Sequence, residues 1–346
     1  GLRGVGKTVI LTEVYEKAKE LGYFPVQIEA RENANLPMIL IPKLRQVILR
    51  LDRIEKAKDH GKRALRVLAA FASAVKAKIG EVEFGISIEP EIGSADSGDL
   101  ETDLSELFEA LGEAAREKAT AVAIIIDELQ YLAEEEMSAL IMALHRVNQR
   151  TLPVVMVGGG LPQILGLAGR SKSYAERLFD FPKVGELGYD DATLALAEPI
   201  RDAGAEIEQG AVDRIFELTK GYPYFLQTWG HYAWNICKSR TITEDDVEKA
   251  TKASIESLDE SFFQVRFDRL ANAEKSYLFA MAALGEGPHR SGDIAAKLDR
   301  KVESVAPTRS SLIKKGMVFS PSHGDTAFTV PMFDEYLIRV QQQGAL

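Results

Sequence analysis

The run Ala121-Val122-Ala123-Ile124-Ile125-Ile126-Asp127-Glu128 constrains the fold more than any other stretch. An unbroken apolar run is what a strand needs when both of its faces are buried, as in a parallel sheet covered by helices. An amphipathic helix is expected over 100–118 and another over 133–149. That alternation implies a doubly wound α/β domain. The run ends in two adjacent carboxylates. Ligands in open α/β sheets sit at the C-terminal ends of the strands, so Asp127 and Glu128 stand where chemistry is done. An ordinary buried strand leading into a polar helix start would read the same way, so the pair needs a second motif.

That motif opens the chain. Gly1-Leu2-Arg3-Gly4-Val5-Gly6-Lys7-Thr8 reads G-x-x-x-x-G-K-T, the phosphate-binding loop. Its glycines let the backbone curl so that successive N–H groups point at an anion. The loop residues Gly1, Arg3, Gly4, Val5 and Gly6, with Lys7, Thr8 and Val9, are the expected nucleotide contacts. Lys7 would set a cation against the β- and γ-phosphates and the Thr8 hydroxyl would ligate Mg²⁺. The helix expected over 9–21 would turn its positive end to the phosphates. Paired with this loop, Asp127 is expected to hold Mg²⁺ and Glu128 to orient or deprotonate the attacking water. A strand normally precedes such a loop, so the central strand of the sheet is expected upstream of Gly1.

The rest of the core follows in order. A strand is expected over 23–29, with Pro25 marking an edge or a strand start. Helices over 37–58 and 61–78 carry Lys43, Arg45, Arg50, Arg53, Lys56, Lys58, Lys62, Arg63 and Arg66. Interleaved acids favour a solvated face over a nucleic-acid surface. Val82, Phe84, Ile86 and Ile88 alternate with polar residues and glycine, the period of a strand. A loop over 90–99 completes an insertion spanning about 60–99. Strand 153–157 and a candidate fifth strand over 179–187 close the α/β domain near 188.

From 189 to 270 the pattern is helical: 190–203, 209–219, 223–239, 243–256 and a connector. Thr243 and Asp246 have the spacing of a helix cap. Residues 271–346 change again. Three helices over 273–284, 291–298 and 302–315 precede two β-rich pieces, 317–320 and 326–330, joined by a turn. Three helices and a hairpin predict a winged helix, closed by a last helix over 332–341.

The net charge of −10 supplies no global attraction to nucleic acid. The single cysteine, Cys237, excludes an internal disulfide, and its apolar helical context predicts a buried thiol. No apolar run reaches membrane-spanning length and no signal peptide is visible, so a soluble, cytoplasmic protein is expected. Any targeting signal ahead of Gly1 would alter that.

The loop, the Asp-Glu strand, the helical segment and the winged helix, in that order, resemble an AAA+-type ATPase of the kind grouped near origin-recognition and STAND proteins. Gly221-Tyr222-Pro223-Tyr224-Phe225-Leu226-Gln227 resembles the G-x-P segment at the start of a STAND lid helix. The resemblance implies ATP or ADP with Mg²⁺, Pro223 near the base, and a nucleotide-dependent switch. Residues 189–270 would be the lid. Polar sensor residues usual in AAA+ proteins are replaced by Gly158 and Gly159 after the fourth strand, and the lid sensor arginine by Tyr222-Pro223. No histidine stands in 328–331. These departures imply slow hydrolysis. For transition-state charge the resemblance points to Arg177, with Arg170, although ion pairs to Glu176 or Asp180 would account for either.

Two partners are open. A protein partner fits a switch. DNA fits a winged helix whose third helix offers Arg309, Lys314 and Lys315, preceded by Arg300 and Lys301. Residues 272–346 hold nine Lys/Arg against eight Asp/Glu, nearly neutral.

Overall fold

The computed structural model describes residues 1–32, 35–52, 58–80, 84–86 and 88–344. The chain forms two compact units: Lys7–Pro182, and Gly1–Gly6 together with Lys183–Leu346.

The first unit is built on a three-stranded parallel sheet, β1 (Phe24–Glu29), β2 (Val122–Asp127) and β3 (Val154–Gly158), in the order β1-β2-β3. Helix α1 (Lys7–Glu20) packs on β1 and β2. Helix α2 (Leu36–Asp52) packs on β1, α3 (Lys58–Ile79) on α2, and α4 (Leu100–Glu117) on both α3 and the sheet. Helix α5 (Glu134–Gln149) packs on α4 and β3, and α6 (Ile164–Ser171) and α7 (Ala175–Leu178) follow. Every residue of β2 is buried, because it is the middle strand with helices on its faces. Pro25 sits at the second position of β1, which among the described residues pairs only with β2. There its missing N–H breaks no described ladder. Register aligns Glu29 with Asp127 and Ile126 with Gly158, so three strands end together at one edge.

Helix α3 is not peripheral to this unit. Ala64, Val67, Leu68 and Phe71 join the core formed by α2, α4 and β2. Two of the basic residues in this region are paired. Arg63 reaches Glu91 at 3.1 Å and Glu113 at 2.8 Å, and Arg66 reaches Glu91 at 3.6 Å.

Two expected strands do not form at the described residues. The alternating stretch at 82–88 is irregular at its described residues; Glu81, Val82, Glu83 and Ser87 lie outside them. Phe84, Ile86 and Ile88 instead pack against the helical core. Period two shows which residues are apolar, but a strand also needs a neighbour for its backbone. Residues 179–187 likewise form no strand. Phe179 and Phe181 pack on the first unit's core, while Val184 and Leu187 pack on the second's. No described strand runs beside this segment to take its hydrogen bonds.

In the second unit, α8 (Tyr189–Asp202), α9 (Gln209–Thr219), α10 (Pro223–Ile236) and α11 (Glu244–Ser257) form a bundle with a two-stranded parallel pair, β4 (Glu206–Ile207) and β5 (Thr241–Ile242). Fully buried Trp229 anchors it and donates to the Thr251 hydroxyl at 3.1 Å. The cap at the start of α11 is made: Thr243 N–H donates to Asp246 at 2.9 Å, and Asp246 N–H to the Thr243 hydroxyl at 3.3 Å. Cys237 lies at the end of α10, half-buried rather than buried. The connector is a π-helical turn, Leu258–Phe263, continuing into α12 (Gln264–Phe267).

The C-terminal segment carries α13 (Asn272–Ala282), β6 (His289–Arg290), α14 (Ser291–Lys297), α15 (Val302–Lys314), β7 (Val318–Phe319), β8 (Asp325–Phe328) and α16 (Phe333–Gln342). Its strands pair antiparallel in the order β6-β8-β7. One hydrophobic core runs from Ala192 through Phe263 to Val340, so the packing is continuous across the expected boundary at 270. Among the described residues no helix is long and apolar enough to cross a membrane.

Candidate nucleotide site

Asp127 ends β2 and is buried, with 6% of its surface exposed. Burying a carboxylate is costly unless donors surround it. Thr8, in the first turn of α1, supplies one: its hydroxyl donates to Asp127 Oδ2 at 2.6 Å. The second donor is the N–H of Glu128, at 2.8 Å from Asp127 Oδ1. Thus the structure brings the end of the glycine-rich loop and the acidic pair together, although 119 residues separate Thr8 and Asp127 in sequence.

Glu128 makes that turn by adopting φ 57°, the left-handed region. For a residue with a Cβ this costs on the order of 1 kcal/mol. Backbone strain of this kind collects where a side chain must be aimed. Gln130 fixes the aim: its amide donates to Glu128 Oε2 while its carbonyl accepts the N–H of Leu161 at 3.0 Å. Gln130 was not among the residues expected at the site. Its only trace was a position two residues past an acid, which identifies no role until the chain turns.

Gly158 and Gly159, where a polar sensor residue is expected, are required by packing. A Cβ on Gly158 would lie 2.2 Å from Leu129 Cδ1. One on Gly159 would lie 2.9 Å from both Asp127 Oδ1 and Leu11 Cδ1. A side chain there would push on the very carboxylate that Thr8 holds. Beside this corner a cleft of about 580 Å³ is lined by Thr8, Asp127 and Glu128 at one end and by Tyr15, Lys43 and Arg50 further along.

The first six residues belong to the other unit, and their surroundings are those of that unit. Val5 is buried in its core. Gly4 has φ +83°, and a Cβ there would meet Tyr222 Cε1 at 3.0 Å and Tyr224 Cβ at 3.2 Å. The Gly4 carbonyl accepts the N–H of Tyr224 at 3.2 Å. Pro223 occupies the first turn of α10, where its missing N–H leaves no bond unmade. Arg3 and Lys7 are half-buried, and Val9 is exposed.

Arg177 is exposed on α7 and makes no ion pair among the described residues. Arg170 pairs with Glu134 at 3.7 Å, not with Glu176 or Asp180. Arg309 is committed internally: it donates to the Thr326 hydroxyl at 2.7 Å, the Ser320 hydroxyl at 2.9 Å and the Asp325 carbonyl at 2.7 Å. Lys315 bonds Glu274 at 2.7 Å. Of the cations proposed for DNA, these two are tied down by the hairpin and by α13, while Arg300, Lys301 and Lys314 are exposed.

Mg²⁺ takes oxygen ligands, commonly one or two from protein, with water and phosphate completing the shell. Thr8 Oγ1 and Asp127 suit that donor set. Among the described residues no group of three or more His, Cys, Asp and Glu forms a metal cage.

Residues 1–157 match the AAA ATPase domain family, and residues 260–337 match a domain of unknown function, DUF8462. No curated protein matches the chain. Among solved structures it is similar to the Walker-type ATPase PABY2304 of Pyrococcus abyssi, at 17% identity and TM-score 0.59, covering 98% of this chain and 89% of that one. It is also similar to the Thermotoga maritima RuvB Holliday junction branch migration motor, at 14% identity and TM-score 0.45, covering 98% and 85%. The Aeropyrum pernix ORC1 protein, solved in complex with DNA, is similar at 16% identity and TM-score 0.43, covering 100% and 86%. Residues 1–157 thus match the AAA ATPase domain family, and the likeness to the Walker-type ATPase is one of fold.

Proposed function

We propose that the chain is a nucleotide-dependent switch that binds ATP with Mg²⁺ and hydrolyses it slowly. The observation that carries this is the 2.6 Å bond from Thr8 to Asp127, which joins the loop's last residue to the acidic strand end. In this reading Lys7 and the amides of Gly1 through Val9 hold the phosphates, with Arg3 beside them and Pro223 against the base. Thr8 and Asp127 hold the metal, which when bound neutralises charge on the phosphates. Glu128, held by Gln130, orients and deprotonates the attacking water. Exposed Arg177 supplies charge to the transferring phosphoryl group. Slowness follows from Gly158 and Gly159, which offer no polar side chain to that group.

The switch would act through the second unit, whose core includes Val5 of the loop, on a protein partner. DNA as the partner is less well supported, since Arg309 and Lys315 are spent within the fold. The test is ATP binding by calorimetry and phosphate release, with and without Mg²⁺. Binding without turnover in Glu128→Gln is expected. Turnover equal to wild type in that variant would remove Glu128 from its role.

A further inference from the structure

Strand β1 has one edge on β2 and one with no strand partner among the described residues. The ladder fixes which backbone groups face out. Phe24 N–H donates to the Ala121 carbonyl at 2.8 Å, and Ala30 N–H to the Asp127 carbonyl at 3.0 Å. In a parallel ladder alternate residues point both backbone groups at the neighbour, and the residues between them point both away. Pro25, Gln27 and Glu29 therefore turn theirs outward. Pro25 has no N–H, so the donors offered are those of Gln27 and Glu29.

This edge opens into the cleft of about 580 Å³, which Pro25, Val26, Gln27, Ile28 and Glu29 line in unbroken succession. Successive residues point to opposite faces of a sheet, so a cleft touching every one of them runs along the strand's edge. Its walls are α1, through Tyr15, and α2, through Lys43, Gln46 and Arg50, which share one face of that helix. Lys43 and Arg50 are exposed and make no ion pair among the described residues. By contrast Arg63, Arg146 and Arg150 of the same unit each reach a carboxylate. Arg50 lies over the Phe24 ring at 5.2 Å, which places it where β1 starts. The carboxylates that line the cleft are Glu29, Asp127 and Glu128, where β1 and β2 end. The cleft is thus basic along the start of β1 and acidic at its end.

We propose that this cleft docks an extended, acidic segment of a protein partner, which adds to β1 as an edge strand and sets its carboxylates on Lys43 and Arg50. Backbone pairing with Gln27 and Glu29 supplies the affinity, and the cations choose the sequence. A single-stranded nucleic acid has phosphates for the cations. It has no peptide-like alternation of donors and acceptors to match β1, and Asp127 and Glu128 would repel it. The proposal gives a protein partner its chemistry and does not need the nucleotide reading, since no phosphate or metal takes part in it. Every residue it uses lies within the first unit.

The test uses the full chain without nucleotide, and acetylated, amidated octapeptides in which Val or Thr alternates with Glu or Lys, read by fluorescence anisotropy. Glu peptides are expected to bind about tenfold or more tightly than Lys peptides, with a preference that shrinks as salt rises. Lys43→Glu combined with Arg50→Glu should weaken the Glu peptides about tenfold and reverse the order. Lys43→Glu alone, at an exposed and unpaired position, replaces the double variant if that one melts early. N-methylation of alternate peptide amides should abolish binding in one phase and spare it in the other, as pairing along one edge requires. Binding indifferent to the phase of methylation would overturn the strand pairing. Equal affinity for Glu and Lys peptides, or no binding by either, would overturn the proposal. Tighter binding of a single-stranded oligothymidylate, lost in the same variants, would overturn it in favour of nucleic acid. A dimer of the chain that Lys43→Glu dissociates would overturn it in favour of a second copy.

Discussion

Asp127 and Tyr222 are both buried and polar, one in each unit, and they are treated differently. Asp127, 6% exposed, has two donors within 2.8 Å; Tyr222, fully buried, has none. The first is a finished corner, in which loop, strand and turn already satisfy one another. The second is unfinished: its hydroxyl is enclosed with no partner. A buried polar group is thus fully satisfied in the sheet-based unit and left unpaired in the helical one.

The sharpest way to break this contrast is Glu128→Gln. It should lower phosphate release on the order of 10²–10⁴-fold, with nucleotide affinity near wild type, in a single-turnover assay. A smaller loss is expected in Lys7→Ala: nucleotide affinity should fall on the order of a hundredfold by calorimetry, as removal of a charged phosphate contact predicts. If the corner at Asp127 is as finished as its bonds indicate, Gly159→Ala should damage it by displacing the carboxylate that Thr8 holds. Mg²⁺-dependent turnover should drop roughly tenfold, while the affinity for nucleotide without metal should hold.

The last two predictions concern only the second unit. Glu274, 5% exposed, accepts from Ser311 and Lys315 at 2.7 Å each and from Ala271 N–H at 2.7 Å. Burial pushes its carboxyl up, but the Lys315, Ser311 and Ala271 bonds prevail and hold it below its ordinary 4.5. A depressed carboxylate stabilises the fold above its unfolded pKa, and that stability is lost as pH falls through the folded value. Glu274→Gln should cost about 2 kcal/mol at pH 7 in denaturant melts, and the gap should close as pH drops below 4.5. A gap that persisted at low pH would show that the carboxylate's charge is not what matters. Thr243→Ala should cost about 1 kcal/mol through loss of the α11 cap, leaving nucleotide affinity unchanged.

Much of this was legible in residue order. The apolar run at 121–126 announced a strand buried on both faces, and β2 is one. Thr243 and Asp246 announced a helix start that the coordinates reproduce bond for bond. The segments misread share one cause. At the described residues of 84–88 and at 179–187 the apolar residues are half-buried against a core, but the backbone has no described strand beside it. The two-residue strands β4, β5 and β6 were too short to leave a period.

Local order along the chain thus determined the elements whose stability is local or whose burial is total: amphipathic helices, caps, the glycine turn, and the all-apolar strand. Tertiary structure alone decided what depends on distant partners. It set Thr8 against a carboxylate 119 residues away, and it gave Glu128 the left-handed turn that lets Gln130 hold it. It also spent Arg309 on a hairpin and left the Tyr222 hydroxyl without an acceptor. The reason is physical. Periodicity records which side chains avoid water, whereas the partner of a buried polar atom is fixed only when the chain closes around it.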